Sequence, residues 1–216
     1  MTLALGLASA ASTSMVIVRY AFSGQAVYRF LVWNLFLAWL PFCLALAAFR
    51  HRRRPLIALG LGFLWLLFFP NAPYIVTDVI HLKPLGHVPL WYDGLMIFSF
   101  ALTGLLLGFI SLAVMQGLVS QQYGRLVGWL FVLFSLGLGS VGVYIGRFLR
   151  WNSWDVFFNP LQILYDLLDV LLNPTAHRSL YLVSAVLGVI LTLSYLVLAS
   201  LSKLEIGDWR ADRRTI

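Results

Sequence analysis

The sequence predicts an all-α, polytopic bundle of about six transmembrane helices with one further amphipathic helix lying along the membrane surface. Two observations carry this. Of 216 residues, 61% are hydrophobic and only 11% are charged, so polar side chains are too few to cover a globular surface. The apolar residues also fall into runs of about 20, the length that crosses the hydrocarbon. The whole chain, 1–216, reads as one membrane domain, without a soluble domain, a useful repeat or a low-complexity tract. The formal charge of +7 does not indicate nucleic acid, because the basic residues lie in short clusters between apolar runs rather than along one face.

The expected spans are 3–22, 27–49, 55–76, 89–115, 126–148 and 179–201. The first is rich in small residues from Ala8 to Ser14, as a signal peptide can be, but no Lys or Arg precedes it to form a charged n-region. The second carries the only cysteine, Cys43, so no intrachain disulfide can form; it reads as a small apolar residue. The third starts at Pro55 and is interrupted by Pro70-Asn-Ala-Pro73. Backbone groups freed there need partners from neighbouring protein or water, since lipid offers none. Gly104 with Gly108 in the fourth span, and Gly142 with Gly146 in the fifth, are small-xxx-small pairs suited to close packing.

Between the fifth and sixth spans, Gln162, Asp166, Asp169 and Asn173 recur at helical spacing, opposite Leu161, Leu164, Leu167, Leu168 and Leu171. This predicts an interfacial helix near 160–173, capped by Asn159, with Pro160 at its first position and Pro174 beyond its end. Its acidic polar face rules out attraction to anionic lipid as the force that holds it there.

Lys and Arg in alternate loops set the orientation. With the amino terminus inside, Arg50, Arg52, Arg53, Arg54, Arg125, Lys203, Arg210, Arg213 and Arg214 are cytoplasmic, against Arg19, Arg29, Lys83, Arg147, Arg150 and Arg178 outside. Both termini are therefore expected in the cytoplasm. The basic run Arg50–Arg54 is a topology anchor first and an anionic-lipid contact second. Asp78, Asp93, Asp155, Asp166 and Asp169 then fall on the outer side, which is the chemically equipped one.

The candidate site residues gather at the outer ends of four spans. Asn34 lies about two turns into the second, on the order of 10 Å deep at ~1.5 Å per residue. Asn71, Tyr74 and Asp78 come from the broken end of the third, and His81 shares a face with Asp78 if the helix continues. Trp91, Tyr92 and Asp93 open the fourth, while Tyr144, Arg147 and Arg150 close the fifth at three-residue spacing, which on a helix is one face. Bland readings stand beside these. Trp91, Tyr92, Trp151 and Trp154 suit an interfacial aromatic belt, Arg150 can snorkel to headgroups, Asn34 can bond a neighbouring helix, and Asp93 and Arg147 can form structural ion pairs. Arg147 is the most informative, since an arginine cannot shed its charge and at this depth requires a carboxylate, Asp78 or Asp93, or a wet cavity.

The strings Asn34-Leu-Phe-Leu-Ala-Trp-Leu-Pro-Phe42, Phe69-Pro-Asn-Ala-Pro-Tyr-Ile-Val-Thr-Asp78, Trp91-Tyr-Asp93 and Gly146-Arg-Phe-Leu-Arg-Trp-Asn-Ser-Trp-Asp155 resemble a bacterial membrane-protein family, domain of unknown function 1361, over about residues 30–160. The resemblance implies a bacterial inner-membrane protein and transfers no catalytic role. Gly137-Leu-Gly-Ser140 resembles the serine motif of rhomboid proteases, but no later span supplies a histidine. There is no Walker loop, Rossmann fingerprint or His-Glu-x-x-His. No cofactor is implied. Asp78, His81, His87 and Asp93 have ligand chemistry, but His87 sits in a loop whose direction the sequence leaves open, and no metal is assigned.

Three functional readings remain. One is an outer-leaflet pocket in which Asn34, Asn71, Tyr74, Asp78, His81, Asp93, Arg147 and Arg150 bind an anionic, lipid-linked ligand among membrane lipids. Another is a small-solute transporter or channel, suggested by the interrupted third span. The third is a structural or assembly protein.

Overall fold

The computed structural model describes residues 1–85 and 88–201, and the side chains of Leu167 and Leu171 are outside the description. His87 and the basic tail, both used above, therefore lie outside the described residues. The described chain is helical throughout its regular parts. In order, it forms α1 (Thr2–Ser23), α2 (Arg29–Arg50), α3 (Pro55–Phe68), α4 (Asn71–Tyr74) with a 3-10 segment Ile75–His81, α5 (Leu90–Tyr123), α6 (Arg125–Tyr144) with a π turn Ile145–Leu149, α7 (Asp155–Phe158), α8 (Pro160–Leu172) and α9 (Arg178–Leu201).

Six of these runs are long and apolar enough to cross a membrane. This is a membrane protein, a polytopic helix bundle. The third run continues to His81, five residues beyond the expected end, because the Pro-Asn-Ala-Pro stretch bends the helix and does not stop it. The fourth extends to Tyr123 rather than 115: Gln116, Ser120, Gln121 and Gln122 carry the helix on past its apolar part. α8 matches the expected surface helix, with Leu161, Leu164, Leu168 and Leu172 left bare. Asn159 occupies its cap position, but its side chain makes no cap hydrogen bond.

α2 and α5 form the centre, flanked by α1 and the broken third span, with α6 and α9 packed on the far side of α5. One core cluster joins Leu31, Leu35, Ala38 and Phe42 of α2 to Met96, Ile97, Phe100 and Leu107 of α5, with Ala72 and Ile75 from the break. The other joins Trp65, Phe69, Leu112, Val132, Leu136 and Leu191. Trp65 is fully buried and its indole N–H donates to Ser111 Oγ at 3.1 Å, which satisfies the donor in a region without water.

The glycines admit the break, not another full helix. A Cβ on Gly142 would stand 2.6 Å from Pro70 Cγ, and one on Gly108 would stand 2.9 Å from the Ala72 Cβ. Residues 70–75 are thus pressed between α5 and α6, and Asp78 of the third run and Asp93 of α5 lie at the bundle end where Arg19 of α1, Asn34 of α2 and Arg147 after α6 reach them.

Candidate functional site

Two prolines in the third run withdraw backbone donors from the turn before them. Side chains supply the replacements: Ser153 Oγ donates to the Leu67 carbonyl at 2.9 Å, and Asn71 Nδ2 donates to the Phe68 carbonyl at 3.0 Å and to Ser153 Oγ at 3.1 Å. Asn71 is thereby committed to the break, while its side chain still faces the cavity described below. The tighter 3-10 turn that follows puts residues three apart in line. Thr77 and Asp78 face Arg147, and His81, three residues after Asp78, meets the same guanidinium.

That guanidinium is held on every side. Arg147 Nη2 lies 2.5 Å from Asp78 Oδ1 and 2.7 Å from Thr77 Oγ1. Nε lies 3.0 Å from Thr77 Oγ1, and Nη1 lies 3.0 Å from His81 Nε2. Arginine has no acceptor, so this last contact requires His81 Nε2 to accept and the ring proton to sit on Nδ1. Cζ stands 4.1 Å from the Tyr74 ring centroid, a cation–π contact. The other Asp78 oxygen accepts from Asn34 Nδ2 at 2.8 Å. Asp78 is 0% exposed and the Arg147 side chain 9%, so neither charge is compensated by water.

Asp93 does not join this network. It binds Arg19, which the sequence reading used only for topology: Nε to Oδ1 is 2.7 Å and Nη2 to Oδ2 is 3.0 Å, a bidentate pair with both side chains 1% exposed. Arg19 also lies 4.7 Å from the Tyr28 ring centroid. The signal that could have found Arg19 is the one applied to Arg147, an arginine inside the last turns of an apolar run.

The three-residue spacing of Tyr144, Arg147 and Arg150 does not produce one face. The π turn widens the helix after Tyr144, whose hydroxyl pairs with Ser179 at 3.1 Å, and Arg150 leaves the helix in the left-handed region with φ 61°. Arg150 is exposed and has no ion pair with any described residue. The aromatic residues also divide. Trp91 is exposed, whereas the Tyr92 hydroxyl donates to the Met15 carbonyl at 2.9 Å and Trp151 Nε1 donates to Asp166 Oδ2 at 2.7 Å. That Trp151 bond ties α8 to the loop after α6. At the other end of α8, hydrogen bonds from His177 and then Asn173 hold the exposed Asp169 carboxyl below its usual range. Among the described residues, no three or more His, Cys, Asp or Glu are grouped to hold a metal ion.

Beside the Arg147 network lies a cavity of about 320 Å³. Asn34, Asn71, Tyr74, Asn152 and Ser153 form its polar wall, and Leu37, Leu66, Leu138, Val141 and Ile163 its apolar one. Asn34 and Tyr74 belong to both cavity and network. Of the eight candidate residues, Asn34, Tyr74, Asp78, His81 and Arg147 come together, Asn71 borders them across the cavity, and Asp93 and Arg150 stand apart.

The family described as "Protein of unknown function (DUF1361)" matches residues 33–193. The chain belongs to that family. The DUF1361 region runs past the string ending at Asp155, through α8 and into α9, and it contains Asn34, Thr77, Asp78, His81, Arg147 and every residue that lines the cavity. Arg19 and Tyr28 precede it, so only one of the two buried ion pairs lies wholly within the DUF1361 match. No curated protein and no solved structure matches the chain.

Proposed function

We propose that this protein binds an amphiphilic ligand with an anionic, lipid-linked head in the cavity between α2, the break and α6. The carrying observation is the division of that cavity into a wall of amides and hydroxyls and a wall of aliphatic side chains, next to an arginine held in the apolar bundle. The head would meet Asn34, Asn71, Tyr74, Asn152 and Ser153, and the chain would lie along Leu37, Leu66 and Leu138. Because Asp78 neutralises Arg147, the cation that would draw in an anionic head is Arg150, which has no ion pair among the described residues and directly precedes the cavity-lining Trp151. The dense Arg50–Arg54 run and the basic tail, both on the opposite side in the sequence, support an orientation with both termini cytoplasmic and the cavity in the outer leaflet of a bacterial inner membrane.

The interrupted third run favours transport as a second reading. Against it, the bundle below the break is filled by the buried side chains of Trp65, Phe69 and Leu112.

Binding is tested by thermal denaturation of the detergent-purified protein with dodecyl phosphate or dodecanol. A ligand bound only by the folded state raises Tm. The phosphate is expected to raise Tm more than the alcohol, with the gain reduced in Arg150→Gln and abolished in Ile163→Trp, which fills the cavity. Equal shifts in all three proteins would remove the cavity from the account.

A further inference from the structure

The bundle has a second chemically distinctive recess, at the end opposite the aspartates. A cavity of about 760 Å³ opens between α5, α6 and α9, with walls that include Phe109, Ile110, Trp129 and Tyr195. Tyr195 packs edge-on against Phe109 and Trp129, with ring centroids 5.7 and 6.2 Å away, which makes a stiff aromatic wall. The Tyr195 hydroxyl donates to Gln116 Oε1 at 2.6 Å, so the Gln116 amide nitrogen has no partner among the described residues. Arg125 is the one lining residue with a charged side chain, exposed and without an ion pair among the described residues. It opens α6, whose cap residue Gly124 offers no side chain to the free amides of the first turn. A cation at that position is also the wrong charge for the helix dipole, a misfit that a bound anion reverses.

Among the described residues, charge at this end of the bundle is one-sided. Arg50, Arg52, Arg53, Arg54 and Arg125 lie in its loops, while every described Asp is at the other end. No described carboxylate can therefore serve as the partner of Arg125.

We propose that this recess is a binding site for an anionic phospholipid of the leaflet at that end, a diacyl lipid with a phosphodiester head. The phosphate bonds Arg125 and the Gln116 amide, and an acyl chain lies along Phe109, Ile110 and Trp129. Choline-headed lipid is disfavoured, because its ammonium cancels the net negative charge that Arg125 would bind. This site is independent of the one proposed above.

The test is native mass spectrometry of delipidated full-length protein titrated with dioleoyl phosphatidylglycerol or dioleoyl phosphatidylcholine. Parent protein should bind the glycerol lipid preferentially. Arg125→Gln should weaken that binding about tenfold, the scale of one charge-assisted hydrogen bond. Arg53→Gln, which removes the same charge from the exposed loop, should leave it intact. Equal losses in the two variants would reduce the effect to general surface charge and overturn the site, as would equal binding of the two lipids by the parent. A folded Arg125→Gln protein with undiminished binding overturns it too.

Discussion

Replacing Arg147 with alanine removes the cation bonded to the fully buried Asp78 carboxylate. Asp78 would keep one hydrogen bond, from Asn34, and would lose the guanidinium at 2.5 Å, while Thr77 would lose its two donors and His81 its one. Stranding one partner of a buried pair costs about 3–5 kcal/mol, the desolvated charge being the larger part. Converting both partners to apolar residues of similar volume, Arg147→Met with Asp78→Leu, leaves no orphan charge and is expected to cost less than either single change. The assay is a double-mutant cycle of unfolding free energies in mixed micelles. Additive costs, or a loss under about 1 kcal/mol for Arg147→Ala, would show a solvated pair and would falsify the buried network.

The same logic applies to Arg19→Ala, which should destabilise by a comparable amount and couple to Asp93→Ala but not to Asp78→Ala; measurable coupling between the two pairs would mean they share one site. Gly142→Ala drives a methyl group into Pro70, and overpacking of this kind typically costs about 1–3 kcal/mol, read as a lowered Tm. An unchanged Tm would mean the break is not wedged against α6. Because partners hold the Asp169 carboxyl below its ordinary 3.8, its contribution to docking of α8 is complete above that pH and disappears as the pH falls further below it. Hydrogen-exchange protection over residues 160–177, taken relative to the intrinsic rate at each pH, should therefore be unchanged between pH 6 and 5 and fall only in stronger acid, an effect that Asp169→Asn abolishes. Cysteine labelling of intact cells should mark a Cys at Lys83 in a Cys43-free background and spare one in the tail; the reverse pattern inverts the proposed orientation.

The long helices were legible because each carries its own apolar run, and α8 because its polar residues repeat at helical spacing between Pro160 and Pro174. The Arg147–Asp78 pair was legible from one physical demand, that an arginine below the headgroups needs an anion. Arg19 makes the same demand, yet its partner lies 74 residues away in sequence and belongs to a helix start already assigned elsewhere, so no local pattern links them. Arg150 failed differently. Three-residue spacing places side chains on one face only while the helix stays α, and the π turn at Ile145–Leu149 is a tertiary response to the crowded break that periodicity does not record. The continuation to His81 was hidden for a related reason: the Pro-rich stretch reads as a stop, and one of the two side-chain hydrogen bonds that let it proceed comes from Ser153, in a distant loop.

The central claim is that the cavity beside Arg147 holds an amphiphile. The most direct test is a high-resolution electron cryomicroscopy map of the protein extracted with its native lipids. The account predicts elongated density along Leu37, Leu66 and Leu138, ending in a compact head within hydrogen-bond reach of Asn34, Tyr74 and Asn152. A cavity closed by its own side chains, or one holding only ordered water in that map, would contradict it.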